Sequence, residues 1–100
     1  MDKLMFLQTK EEITQWLDVF DIKNYTINDD LSVDVNGDVD LYGKYLTNIH
    51  VKFNIVTGNF CCNHNHLTSL QGAPKVVGGK FYCSYNKLTT LEGAPEKVGG

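Results

Sequence analysis

No arginine occurs anywhere in the 100 residues, and all nine basic side chains are lysine. Arginine supplies the planar, bidentate contacts that read phosphate and guanine, so its absence argues against nucleic-acid recognition. No hydrophobic run approaches the roughly 20 residues of a membrane-spanning helix. The opening from Met1 to Leu7 is too short and too acidic to resemble a secretion signal. The three cysteines, Cys61, Cys62 and Cys83, are odd in number, which argues against a disulfide framework and for a reducing compartment. A cytoplasmic location is therefore expected. Proline is scarce: there are only two, Pro74 and Pro95, and they stand 21 residues apart.

That spacing is the period of the whole second half. Phe60, Cys62, Asn65, Leu67 and Leu70 return as Phe81, Cys83, Asn86, Leu88 and Leu91. Gly72-Ala73-Pro74 returns as Gly93-Ala94-Pro95, and Val77-Gly78-Gly79 as Val98-Gly99-Gly100. A fixed period of this size marks stacked supersecondary units. One step back, Cys62 maps to Leu41, Leu67 to Leu46, Leu70 to Ile49 and Gly58 to Gly37. Three repeats are expected, over 37–57, 58–78 and 79–99 within a repeat region 37–100. The first is degenerate: Val51, Lys52 and Phe53 replace the Gly-Ala-Pro turn, and Lys44 replaces the asparagine.

Each unit fits the leucine-rich-repeat template, a short strand followed by a turn that asparagine shapes. Phe81 and Cys83 alternate with Lys80, Tyr82 and Ser84, so the first pair should face the core and the others solvent. Asn65 and Asn86 are expected to stack as a ladder that satisfies backbone groups in the turn. Too few residues follow for a helix, so an extended or polyproline-like return side is expected. The paired glycines at 78–79 and 99–100 imply positive φ or close backbone approach.

Residues 1–36 read as an N-terminal cap. Thr9-Lys10-Glu11-Glu12 forms a capping box, and Ile13, Trp16, Leu17 and Phe20 follow at helical spacing, so a helix is predicted over about 10–20. Leu31, Val33 and Val35 alternate with Ser32 and Asp34, which predicts a hairpin over about 25–35. The fold expected is mainly β with an N-terminal helix: a short leucine-rich-repeat-like solenoid with a helix plus β-hairpin N-terminal cap. Solenoid ends need caps, because an end repeat otherwise exposes its core. Gly100 would open a fourth unit without a polar cap, so either further chain or pairing of two open ends in a homo-oligomer is expected.

Charge is divided unevenly. Residues 1–42 hold ten acids and three lysines, a net of −7; residues 43–100 hold two acids and six lysines, a net of +4. The acidic part reads as a solubilising cap or as a face for a basic partner. A nucleic-acid mimic built on Asp29, Asp30, Asp34, Asp38 and Asp40 is a remoter reading.

The motif FxCSxNxLTSLxGAPxxVGG, with the lead-in Val35-Asn36-Gly37-Asp38-Val39-Asp40-Leu41 and Leu46-Thr47, resembles the leucine-rich-repeat-like proteins encoded by tailed bacteriophages. The resemblance covers about residues 25–100. The short repeats of secreted bacterial effector proteins are similar, more weakly. The phage resemblance implies an interaction scaffold working in the bacterial host cytosol, and it implies no reaction and no catalytic residues.

Three clusters look chemical. Cys61, Cys62, His64 and His66 have the ligand types of a tetrahedral zinc site or a redox site. In the repeat register Cys62 matches Leu41 and Cys83, an inward position, while Cys61 matches Asp40 and Tyr82, an outward one. Cysteines on opposite faces of a strand do not readily share a metal, so no metal or cofactor is expected. Cys61 with His64 or His50 lacks an orienting third group for nucleophilic catalysis. Gly72 to Lys80 imitates a phosphate-binding loop, but the required frame puts Pro74 at the first glycine and Phe81 after the lysine. The expectation is a chain that is not an enzyme.

The outward strand face is the candidate site. It comprises Asp38, Asp40 and Tyr42, then Asn59, Cys61 and Asn63, then Lys80, Tyr82 and Ser84, flanked by Tyr45, His64 and Tyr85. These residues vary between units while the inward positions scarcely do. The function expected is protein binding, with a bacterial host or defence protein engaged or inhibited and no membrane involved. Self-association through the C-terminal end is the alternative.

Overall fold

The computed structural model describes residues 6–99, so the expectations for residues 1–5 and for Gly100 lie outside the described residues. Helix α1 spans Lys10–Val19. The Thr9 hydroxyl accepts from the Glu12 amide at 3.1 Å, and the Glu12 carboxylate reaches back to the Gln8 amide at 3.2 Å. One orphan amide of the first helical turn, that of Glu12, is thereby satisfied, and the chain entering the helix is tied down at Gln8. Ile13 and Leu17 are fully buried, while Trp16 and Phe20 lie half-buried against each other with centroids 4.6 Å apart. The helix stops at Asp21, which takes the left-handed φ of 58°, and the Ile22 amide donates back to the Leu17 carbonyl at 2.9 Å. That is a Schellman-type closure, and it drops Ile22 into the core.

Eight short strands follow: β1 (Tyr25–Ile27), β2 (Ser32–Val35), β3 (Val39–Asp40), β4 (Lys52–Val56), β5 (Phe60–Cys61), β6 (Val76–Val77), β7 (Phe81–Tyr82) and β8 (Lys97–Val98). They form a five-stranded sheet, β1-β2-β4-β6-β8, and a three-stranded sheet, β3-β5-β7. Only β1 and β2 pair antiparallel; every other pairing is parallel. The architecture is thus one helix with two largely parallel sheets.

The parallel registers follow the sequence period. Val39, Phe60 and Phe81 are successive partners, as are Val35, Val56, Val77 and Val98. The five-stranded sheet therefore crosses from residue 35 to residue 56 without a break, and the hairpin is part of it. One bulge interrupts it: Val33 faces Phe53 but Val35 faces Val56, so β4 carries an extra residue. The bulged Ile55 amide instead donates to the Asp34 carboxylate at 3.2 Å, and the Asn54 side chain joins it at 3.1 Å.

Of the two conformations expected for the return side, extended or polyproline-like, it takes the extended one. It is a hydrogen-bonded sheet, because each segment lies one rung from its neighbour. Gly78 donates to the Val56 carbonyl and Gly99 to that of Val77, each at 2.8 Å. A polyproline II chain would leave those groups to water. Gly78, Gly79 and Gly99 serve close approach rather than positive φ: a Cβ on Gly78 would stand 2.2 Å from the Thr57 carbonyl oxygen.

The core lies between the sheets and under α1. It is filled by Val39, Leu41, Leu46, Ile49, Val51, Phe53, Val56, Phe60, Cys62, Leu67, Leu70 and Val77, with Val33 and Val35 from the hairpin. Burying each aliphatic side chain of this size stabilises by about 1.5–3 kcal/mol. Phe53, Phe60 and Phe81 run through it as neighbours, at centroid spacings of 5.3 and 5.7 Å. Burial fades along the units. Phe81, Cys83 and Leu88 are half-buried, and Leu91 is 71% exposed where its counterpart Leu70 is 1% exposed. Each rung is covered by the one after it, and no described unit lies over the third.

Candidate functional site

Parallel strands β3, β5 and β7 put residues 21 apart side by side, so their outward side chains form a grid of three rows and three columns. Asp38, Asn59 and Lys80 make one row, Asp40, Cys61 and Tyr82 the next, and Tyr42, Asn63 and Ser84 the third. All nine are on one face; Cys61 and Asn63 are half-buried and the other seven exposed. A shallow groove of about 360 Å³ runs over Cys61, walled by Tyr42 and Tyr82 and edged by Asp38 and Asp40.

Three of these residues also hold the fold. The Asp38 carboxylate accepts from the Asn59 amide at 2.7 Å, the Asn59 side chain from the Lys80 amide at 2.8 Å, and the Asn63 side chain from the Ser84 amide at 2.5 Å. Each side-chain oxygen caps a backbone amide one unit along, at the margins of strands only two residues long. Asp40 closes its own turn by accepting from the Tyr42 amide at 3.1 Å. The sequence assigns these four to the surface alone. Tyr42, Tyr82, Lys80, Ser84 and the Cys61 thiol are left as the side chains with no such duty.

The asparagine ladder borders the grid. Asn65 is 4% exposed; its amide group donates to the carbonyls of Leu41 and Cys62, and its oxygen accepts from the amides of Lys44 and Leu46. Asn86 repeats the arrangement one unit on, donating to Cys62 and Cys83 and accepting from Leu67.

Beyond the asparagines, rings gather at the turn edge. His64 stacks on Tyr85 at 4.3 Å and lies 4.9 Å from Tyr42, while His66 stacks on Tyr45 at 6.1 Å. His64, Tyr85 and Tyr45 all adopt left-handed φ, between 57° and 60°. Gly43, which shares the repeat position of His64 and Tyr85, has φ 64°. A glycine at that repeat position is the one feature of the sequence that could have marked a left-handed turn, and nothing in it marks the ring stacks.

The cysteines divide as the register implies. Cys62 is buried, donates to the Tyr82 carbonyl at 3.4 Å, and burial pushes its thiol up to about 12. Burial also raises the Cys83 thiol. Cys61 opens into the groove on the other side of β5. All three are free thiols. Among the described residues no group of three or more His, Cys, Asp and Glu side chains is placed to hold a metal. No helix among them is long and apolar enough to cross a membrane. No family model matches the chain, and neither a curated protein nor a solved structure matches it.

Proposed function

We propose that the chain is a short leucine-rich-repeat-like solenoid that binds another protein through the face of β3, β5 and β7. It acts as a non-catalytic module of phage type, engaging or inhibiting a host or defence protein in the bacterial cytosol. The observation that carries this reading is the groove over Cys61, walled by Tyr42 and Tyr82, which are 53% and 39% exposed. Tyrosine is a preferred anchor at interfaces because it offers a large ring and a polar tip at low entropic cost. Neither ring is needed by the core.

The test is affinity capture from bacterial lysate with the wild-type chain and with a Tyr42→Ala/Tyr82→Ala variant. The variant should lose the specific partner while keeping its unfolding midpoint. Equal capture by both chains rejects the strand face as the site.

A further inference from the structure

We infer that the strand face pairs with a second copy of itself, about a two-fold axis that lies in the interface, over β5 and parallel to the strands. The inference rests on the protein-binding reading of this face and goes beyond it: a second copy covers the face weakly when no other partner occupies it. The grid carries a charge gradient across its columns: Asp38 and Asp40 on the first strand, no charge on the second, Lys80 on the third. The whole chain has the same polarity, −7 over residues 1–42 and +4 over residues 43–100.

A two-fold interface brings a patch against its own copy, so residue i meets j while j meets i. Rotation about an axis along β5 lays the first column over the third and keeps the rows. Asp38 then faces the partner's Lys80, and Asp40 faces the hydroxyl of the partner's Tyr82. Tyr42 comes against the partner's Ser84, beside the partner's Tyr85, and Cys61 meets its own copy at the axis. The other in-plane axis, across the strands, would lay Asp40 on its own copy and is disfavoured by charge. The same rotation sets each acidic half over a basic half, so the long-range field favours this pairing too. Three exposed tyrosines supply the apolar contact.

The nine grid residues on each side are fewer than the roughly 20–30 of a standard interface, which places the dimer among weak, concentration-dependent ones. Sedimentation of the full chain from about 5 µM to 1 mM should show an 11.3 kDa monomer giving way to a closed dimer and nothing larger. Lys80→Glu should weaken the dimer at least tenfold, and Lys80→Glu combined with Asp38→Lys should restore it. Asp38→Asn keeps the oxygen that caps Asn59 and should weaken the dimer less than Lys80→Glu. A short bis-maleimide should join two copies, and Cys61→Ser should abolish the cross-link. Thermal melts confirm that each variant is folded. A chain monomeric to 1 mM overturns self-pairing, while the protein-binding reading stands if a captured partner is still lost with Tyr42→Ala/Tyr82→Ala. A dimer indifferent to Lys80→Glu, or growth beyond two copies, overturns this geometry.

Discussion

The side-chain amide of Asn65 donates to the Leu41 carbonyl at 2.7 Å, tying the turn of one unit to the strand end of the unit before it. The same side chain accepts from the amides of Lys44 and Leu46 and donates to Cys62. Such a residue is not a surface polar group that happens to be covered; it replaces backbone pairing where the strands end. Each buried group left without a partner costs about 1–3 kcal/mol.

Asn65→Ala should therefore destabilise the chain by about 3–5 kcal/mol, against the 5–15 kcal/mol available to a typical domain. Asn65→Asp should be no better near neutral pH, because a carboxylate cannot donate to the Leu41 and Cys62 carbonyls. Asn86→Ala should cost less, since Asn86 is only half-buried. Urea midpoints for the three variants check the order.

The thiols give a second prediction. The folded state holds Cys62 protonated up to about 12, above its ordinary value of 9.0. Above pH 9 the unfolded chain releases that proton and the folded chain keeps it. Fewer protons are then bound when unfolded, and stability falls as pH rises. The slope for one such group is about 1.4 kcal/mol per pH unit. It should extend from pH 9 towards 12, with Cys83 adding a smaller part in the same direction. Unfolding free energies of wild type and Cys62→Ala, measured between pH 7 and 10.5, should converge as pH rises. Under native conditions at pH 8 a thiol reagent should modify Cys61 first and reach Cys62 only on unfolding.

The inward ladder was legible because the period of 21 residues is also the register of the parallel strands, as Val39, Phe60 and Phe81 show. The helix was legible from Thr9, Glu12 and the Ile13–Leu17 spacing. The double duty of Asp38, Asn59 and Asn63 was not. Their bonds run to amides 21 residues away, and nothing in an outward polar residue distinguishes a solvated oxygen from one that caps a neighbour. The extended return side is one of two readings that the sequence leaves open, and its pairing into a sheet was not legible for a related reason. Gly-Ala-Pro segments suit a polyproline conformation locally, and only the neighbouring unit supplies the pairing. The face itself was legible as alternation, whereas the groove over Cys61 depends on how the Tyr42 and Tyr82 rings stand.

The spacing between units sets a third prediction. A Cβ on Gly78 would stand 2.2 Å from the Thr57 carbonyl oxygen, while one on Gly43 would meet nothing within 4 Å. Gly78→Ala must push two rungs apart and should cost about 3 kcal/mol or more, in the range of strongly overpacked substitutions. Gly43→Ala should cost only its left-handed backbone penalty, about 1 kcal/mol. Thermal melts of the two variants separate close approach from backbone conformation.

Tyr85 tests what the exposed rings cost. It is 75% exposed, stacks on His64 and sits at φ 57°, a conformation disfavoured for any residue with a Cβ. In ordinary backbone, glycine is the less stable choice than alanine. Here Tyr85→Gly should be more stable than Tyr85→Ala by about 1 kcal/mol, because glycine alone escapes the left-handed penalty. Both variants lose the stack on His64, worth about 0.5–1.5 kcal/mol, so their difference isolates the backbone term. Tyr85→Gly should then melt close to wild type while losing whatever association the ring supports. If alanine proves as stable as glycine, the turn is not strained. The rings of Tyr85 and His64 would then be carried at no cost, and strain could not be used to argue that they are kept for binding.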